Sequence, residues 1–370
     1  EASILVQQAF HPDLQKNKKI LKLVPLKNTT QPKISIGLVL HNSEKYIKPC
    51  LASLKNQNYK NIEILAFDNN SEDDSVMILK NEFPEVTVIE SAENIGFAKA
   101  NNVLIEKSDG DFYACINIDA LLETNFLTEL FHAIEQKPNI GSVGGKLKKW
   151  NFDAFEKGEN SEGKTNFIDS IGIGITKSHK FFDKGQGEVD FGQYDEESFV
   201  FGVSGAAVLY RKKSLEDVAF ENEEGQKEYF DESMFLYKED VDLSYRLQWA
   251  GWKSVYTPTA TGYHDRTAFG NGESMSATIK NRLKKPSLIN KQSYINHKVV
   301  LEKNFSNDFS SDVQGATGWY NMKKFLYIVL FEPENLAAWW KVRQMKKRLK
   351  SWKKSMPKRV NKIEIERLME

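Results

Sequence analysis

The sequence predicts an α/β fold, with a mixed, mostly parallel sheet flanked by helices and a helical extension at the C-terminal end. Three observations predict it. Short apolar runs of strand length alternate with amphipathic stretches of helical spacing from residue 34 to residue 144, the pattern of successive β-α-β units. Polar and acidic residues, among them Asp68, Asn117 and Asp119, stand where the apolar runs end, at the edge where open sheets bind ligands. From Trp319 onward the composition turns basic and aromatic.

The elements follow in order. Residues 1–33 are polar and Lys-rich, end at Pro25 and Pro32, and read as an extension. Ile34–Leu40 is an apolar run and a buried strand. Tyr46, Ile47, Cys50, Leu51 and Leu54 give Glu44–Asn56 a helical face. Strands are expected at Ile62–Phe67, Val86–Ile89, Phe112–Ile116 and Gly141–Gly144, and helices at Ser75–Phe83, Ala98–Lys107 and Leu127–Gln136. Right-handed crossovers then bring the loops after the strands to one edge. Residues 150–200, rich in Gly, Asp and Lys and without a period, read as loops and short strands, with a mobile lid as one reading. Val200–Tyr210 reads as a strand interrupted at Gly202 and Gly205, and Val255–Thr257, before Pro258, as the last strand.

Bulk properties narrow the classes. The 370 residues carry 51 Lys+Arg against 51 Asp+Glu, so net charge gives no argument for nucleic acid or an acidic partner. Cys50 and Cys115, the only cysteines, sit in apolar contexts. Neither a disulfide framework nor a thiolate metal cage is expected, and a reducing cytosol fits. No apolar run approaches the roughly 20 residues that span a bilayer, and the first residues do not follow a signal-peptide pattern.

The most informative stretch is Tyr229–Trp252, which sets Asp231, Glu232, Glu239, Asp240 and Asp242 among Phe230, Met234, Phe235, Leu236 and Tyr237. Apolar neighbours raise a carboxylate's pKa, which suits a general base. Equally, Asp240 or Asp242 can cap a helix running through Leu243, Leu247 and Ala250. Asp68, Asn69, Asn70, Ser71 and Asp74 can accept from a ribose or a base, or can simply make a turn and a helix cap. In Glu93–Asn102, Gly96 permits close backbone approach, and the start of the following helix favours an anion such as a diphosphate. Neither GxGxxG nor GxxxxGK[ST] occurs, which weighs against a dinucleotide fold or a P-loop. Asn117 and Asp119 are two apart on an extended segment and share a face, where two side-chain oxygens can grip a divalent cation. His264, just past the last strand, can add a nitrogen ligand of the kind manganese accepts, or can be a structural hydrogen-bonder; His41 has a weaker claim.

These pieces occur in a familiar order: ISIGLVLHNSEKYIKPCLASL (34–54), FDNNSEDDS (67–75), ENIGFAKANN (93–102), NIDA (117–120), GVSGAAVLYRK (202–212), FDESMFLYKEDVDLSYRLQWAGW (230–252) and YH (263–264). Over about 34–270 the chain resembles the family 2 glycosyltransferases of GT-A fold, most closely the rhamnosyltransferase-like branch that builds bacterial surface polysaccharides. The resemblance implies an inverting, metal-dependent transfer of a sugar, rhamnose among the candidates, from a nucleotide-diphosphate donor to a glycan or polyprenyl-linked acceptor. It divides the chain into a nucleotide-sugar-binding half (34–150), an acceptor-binding half (151–274) and a tail (275–370). By position it makes Asp240 the base, with Glu239 beside it to raise its proton affinity. Asn42, Asp68, Asn70, Asn94, Gly96, Asn101 and Asn117 fall to the donor. Asp119 and His264 fall to a Mn2+ or Mg2+ ion, and Gly205 and Trp252 to the acceptor sugar. Three departures stand out. The motif is Asn-Ile-Asp, leaving Asp119 its only anionic ligand; His41 precedes Asn42 where an aromatic or Thr is common; and 150–200 matches nothing in the family pattern.

In the tail, Trp319, Tyr320, Phe325, Leu326, Tyr327, Phe331, Trp339, Trp340 and Trp352 mix with Lys and Arg, and Glu332 and Glu334 are the only acidic residues between Trp319 and Arg359. Such helices lie on anionic membranes, which would place the protein in the cytoplasm, peripheral on the inner face of the cytoplasmic membrane, through residues 319–359. The competing reading docks the tail on the core or on a second copy in a homo-oligomer. Nucleic acid is not expected, because the core is neutral and its loops are rich in carboxylates. Besides the enzyme, a non-catalytic GT-A-like carbohydrate- or nucleotide-binding protein stays open, and more weakly a hydrolase using paired carboxylates.

Overall fold

The computed structural model describes residues 31–158, 160–222, 224–266 and 287–370. Most of the N-terminal extension read at 1–33, and the boundary drawn between 274 and 275, lie outside them.

The first half alternates as expected: β1 (Ile34–Leu40), α1 (Glu44–Lys55), β2 (Ile62–Asp68), α2 (Ser75–Glu82), β3 (Thr87–Glu90), α3 (Phe97–Lys107) and β4 (Phe112–Asn117). β1 lies between β2 and β4, β3 follows β2, and all four run parallel. β1 is almost wholly buried because both faces of the sheet are covered. Ile47, Leu51, Leu79, Leu127 and Leu130 pack on one face. Ala98, Leu104, Ile105, Leu243 and Leu247 pack on the other.

The second half is mixed. It comprises β5 (Ala120–Leu122), α4 (Phe126–Glu135), β6 (Ile140–Trp150), α5 (Phe152–Glu156), β7 (Lys164–Ser170), β8 (Ile173–Ile175), β9 (Phe181–Asp183), β10 (Ser198–Val200), β11 (Ala207–Arg211), α6 (Lys212–Val218), β12 (Phe220–Glu221), β13 (Lys227–Glu228), α7 (Glu239–Trp249) and β14 (Lys253–His264). The main sheet has the order β10-β14-β6-β11-β4-β1-β2-β3, with β5 on β14 and β7 on β6. β11 enters antiparallel to β4, with Ala207 opposite Ile116.

Residues 150–200 hold the loops and short strands expected, β7 to β10, and β7 joins the central sheet through β6, which ties it to the scaffold. One expectation is corrected here. The last strand is four times the expected three residues, running Lys253–His264. It passes Pro258 through a shift of register between Thr257 and Thr261, as a residue without an N–H requires.

The tail comprises α8 (Ser287–Asn304), α9 (Ser311–Phe331), α10 (Ala337–Gln344), α11 (Lys346–Ser355) and α12 (Lys362–Glu366), and it is docked on the core. Tyr294, Val299, Val300, Phe309, Ile328 and Leu349 form one cluster with Ile173, Phe201, Met234, Tyr245 and Trp249. The joint is also ionic. Buried Lys303 on α8 lies 2.9 Å from Asp231 and 2.7 Å from Asp242, and Arg246 lies 2.9 Å from Asp242. Removing Lys303 alone would strand buried carboxylates, at a cost of about 3–5 kcal/mol. α9 turns Val313, Thr317 and Ile328 inward and leaves Trp319, Met322, Leu326, Val329 and Leu330 exposed. None of the described helices is long and apolar enough to cross a membrane.

Candidate active site

The carboxyl ends of β1, β2, β4 and β14 and the start of antiparallel β11 reach the same edge of the sheet. There they line one cavity of about 680 Å³ with the loops before α3 and α7. His41 and Asn42 follow β1, Asn69 follows β2, Asn94 and Gly96 precede α3, and Asn117 and Asp119 bracket the end of β4. Pairing of β14 with β5 sets His264 opposite Ala120, which brings it beside Asp119. Ser204 and Gly205 lie next to Asn117, whose N–H donates to the Ala206 carbonyl.

On one side of the cavity, His264 Nε2 lies 3.2 Å from Asp119 Oδ1 and Nδ1 lies 2.9 Å from Asp169 Oδ2. Burial opposes a charge on this imidazole, but Asp119 and Asp169 outweigh it and raise its pKa to about 10. Arg266 Nε sits 3.1 Å from the other Asp169 oxygen, and its guanidinium also bonds Asp183. Burial would raise Asp169, yet His264 and Arg266 hold its carboxyl below the usual range.

These residues fit a divalent cation. Ligands to a metal at roughly 2.1 Å stand about 3 Å apart at right angles, the separation found between Asp119 and His264. Asp169 holds the far imidazole nitrogen, which fixes the ring with Nε2 toward the site. Beside them, Asn117 Oδ1 is buried without a hydrogen-bond partner among the described residues. Two protein donors are few for a resident ion, and a Mg2+ or Mn2+ ion held by so few would usually be completed by phosphate and water oxygens. No cluster of three or more acidic, His or Cys side chains forms a metal cage among the described residues.

The other side is α7. Glu239 is buried, and its Oε2 has no hydrogen-bond partner among the described residues. Burial, then the neighbouring Asp240, push its carboxyl up to about 8. Asp240 is raised too, chiefly by burial, against the hydrogen bond that the Gly205 N–H donates to its Oδ2 at 3.2 Å. Burial thus raises the proton affinity of both members of the pair, which suits uptake of a proton.

Several expectations do not survive this geometry. Gly96 does line the cavity, but its missing side chain makes room for a neighbouring loop: at φ 85°, an added Cβ would meet the Phe235 ring at 2.5 Å. The first amides of α3 are already occupied, because Phe97 and Ala98 N–H donate to the Phe235 carbonyl at 2.7 and 3.3 Å, so the helix start is not free for a diphosphate. Asn101 is fully buried, donating to the Phe97 carbonyl and accepting from Tyr113. Trp252 does not line the cavity; its indole donates to Asp217. Asp68 and Asn70 do not line it either: Asp68 is buried and accepts from the Ser71 N–H, and Asn70 sits exposed at φ 64° in the turn. Asp242 does not serve the helix start, because Lys303, Arg246 and Asn304 take its oxygens. Burial favours its neutral form, but Lys303 and Arg246 prevail and lower its pKa.

Sequence reasoning missed Asp169, Phe181, Asp183, Lys238 and Arg266. Asp169 had a signal, a lone acid between Ile168 and Ile171. Arg266 had another, two residues past His264.

A mixed sheet with its ligand cleft at the strand ends and an acidic pair at the start of a later helix is the GT-A arrangement. Residues 35–218 match the model of glycosyl transferase family 2, and this part of the chain belongs to that family. Glycosyltransferase GlyA of Streptococcus pneumoniae is 27% identical over 56% of this chain and 29% of its own length. An N-acetylglucosaminyl-diphospho-decaprenol L-rhamnosyltransferase of Mycobacterium tuberculosis is 24% identical over 63% of this chain and 76% of its own. The chain thus spans under a third of the first relative and about three quarters of the second. A crystal structure of GalNAc-T7 with UDP, GalNAc and Mn2+ superposes with a TM-score of 0.50 at 12% identity, over 82% of this chain and 58% of that one; it speaks for the fold alone.

Proposed function

We propose that the chain is an inverting glycosyltransferase that takes a sugar from a nucleotide-diphosphate donor and places it on a glycan or lipid-linked hydroxyl. One observation carries the reading: the Asp119–His264 pair and the Glu239–Asp240 pair, from elements far apart in sequence, line the same cavity. Asp119 and His264 would hold a Mn2+ or Mg2+ ion, which supplies positive charge to the departing diphosphate. Asp240 takes the proton of the acceptor hydroxyl as that oxygen bonds the anomeric carbon. The bond from that carbon to the diphosphate breaks, and the nucleoside diphosphate leaves. His41, Asn42, Asn69 and Asn94 offer polar atoms to the donor, and Phe181, Phe182 and Tyr237 offer rings on which an acceptor sugar can rest.

Rhamnose and a polyprenyl-linked acceptor are supported by the name of the mycobacterial relative. A place on the inner face of the cytoplasmic membrane is supported by α9 and α10, where exposed Trp319, Leu326, Leu330, Trp339 and Trp340 lie among lysines and arginines. Apolar side chains ringed by cations suit an anionic bilayer surface.

A thermal-shift screen of UDP-, GDP- and dTDP-sugars with and without Mn2+ tests the core of this reading. A donor at 100 times its Kd stabilises the native state by about 2.7 kcal/mol, so the correct one should raise Tm by several degrees, and only with the metal. No shift with any nucleotide sugar would sink the donor assignment. A Mn2+-dependent shift without release of nucleoside diphosphate would favour the non-catalytic binding protein.

A further inference from the structure

The segment that delivers Glu239 and Asp240 is bent in a way that the sequence does not support by itself. Phe235, Tyr237 and Lys238 all have positive φ, at 55°, 70° and 70°. None is Gly, Asn or Asp, the residues that tolerate this region best. Such conformations persist only where surrounding structure holds them.

The holding comes from the tail. Asn296 on α8 is fully buried, and its side-chain amide donates to three carbonyl oxygens of this segment: Met234 at 2.8 Å, Leu236 at 2.9 Å and Tyr237 at 2.6 Å. Gln292, one turn earlier, donates to the Met234 carbonyl at 2.9 Å and to Asn296 Oδ1 at 2.8 Å, which fixes the amide with its nitrogen toward the loop. Lys303, two turns further along α8, grips Asp231 before the segment and Asp242 after it. From the other side, the Phe235 carbonyl is held by the first amides of α3.

We propose that Asn296 is a positioning residue for the acceptor-activating carboxylates. Its amide ties the 234–237 carbonyls into the arc that aims Asp240 into the cavity, so the tail helix α8 is a working part of the catalytic apparatus. This rests on Asp240 being the base. Asn296 touches neither donor nor metal, so it acts on turnover and not on donor binding. A misplacement of the order of 1 Å is enough to cut a rate about 100-fold.

The test compares the full chain with Asn296→Ala and with Thr317→Val. Thr317 is also a buried tail residue; its hydroxyl bonds His179 and the Val313 carbonyl, and through His179 it reaches α7 at Tyr245, two turns past the loop. Release of nucleoside diphosphate from the donor identified by thermal shift, with water as acceptor, reads turnover. Binding of that donor with Mn2+ reads affinity, and hydrogen-deuterium exchange of the peptide spanning 229–240 reads the loop. Asn296→Ala should lower kcat about 100-fold with donor Kd unchanged and faster exchange in that peptide. Thr317→Val should leave all three near the parent values. If Asn296→Ala keeps full kcat, or falls no further than Thr317→Val, the proposal is overturned. If exchange rises while kcat holds, Asn296 is merely structural. Asp240→Asn in the same assay separates the two claims, because full turnover by that variant removes the base itself, whatever Asn296 does.

Discussion

The two sides of the cleft solve opposite electrostatic problems. Around His264, every buried charge has a counter-charge: Asp119 and Asp169 flank the imidazole, and Arg266 closes the set. Around Glu239 the carboxylates are left short: burial raises both members of the pair, and Glu239 Oε2 has no hydrogen-bond partner among the described residues. The first side pairs every charge, and a cation held there would take the place of the proton that His264 shares with Asp119. The second is arranged to take up a proton. Reading only which residues are acidic would miss this difference, since both sides are rich in carboxylates.

The largest effect should come from the proton-accepting side. Asp240→Asn is expected to lower transfer by about 10²–10⁴-fold, the range that general bases contribute. Donor affinity, measured by calorimetry with Mn2+, should stay near the parent value. On the charge-holding side the expectation reverses: Asp119→Ala should abolish the Mn2+-dependent part of donor binding. Asp169→Asn, which leaves the ligands present but unsteadies His264, should weaken Mn2+ by about 10–100-fold, followed by electron paramagnetic resonance of the free ion. An Asp169→Asn protein with parental Mn2+ affinity would contradict the division of labour. Leu330→Asp, on the exposed face of α9, should weaken binding to anionic vesicles by about tenfold, since burying one Leu contributes roughly 1.5–3 kcal/mol, while turnover of soluble donor is unchanged. Deleting everything from Trp319 is a poor version of that experiment, because it also strips buried Ile328, Leu349 and Trp352 from the core.

The smallest effect is a matter of pH. The folded state holds the Glu239 proton up to about 8, against a usual value of 4.5, so between these limits the native protein binds more protons than the unfolded chain. Unfolding free energy from this group therefore falls as pH rises from about 4.5 to about 8. Glu239→Gln should flatten that slope in denaturant titrations across the window. An unchanged slope would mean that Glu239 ionises freely and does not share a proton with Asp240.

The parallel half was legible because each of its elements is local. Ile34–Leu40 carries its own run of apolar residues, and Glu44–Lys55 its own stripe. The meeting of Asp119 and His264 was legible because both stand at strand ends. What was not legible depends on which way a side chain faces and on partners far along the chain. Asn101 sits in a motif of the right kind but meets Tyr113, 12 positions away, and not the cavity; Gly96 reaches the cavity only because Phe235, 139 positions away, closes over it. Asp242 looks like a helix cap until Lys303, 61 residues later, claims it. Asp169 lies in a stretch with no period, because β7 is short and pairs with only one strand of the main sheet.

β14 has a further consequence. Thr257 faces Gly145 and Thr261 faces Lys146, so Pro258, Thr259 and Ala260 have no counterparts on the neighbouring strand. His264 is thus set by its pairing with β5 and with the far end of β6, and not by counting from Lys253. The three looped-out residues work as slack in a tether. Lengthening or shortening the chain at Pro258 or Thr259 should be absorbed there, whereas a single residue inserted between Thr261 and His264 would turn the imidazole to the opposite face of the sheet.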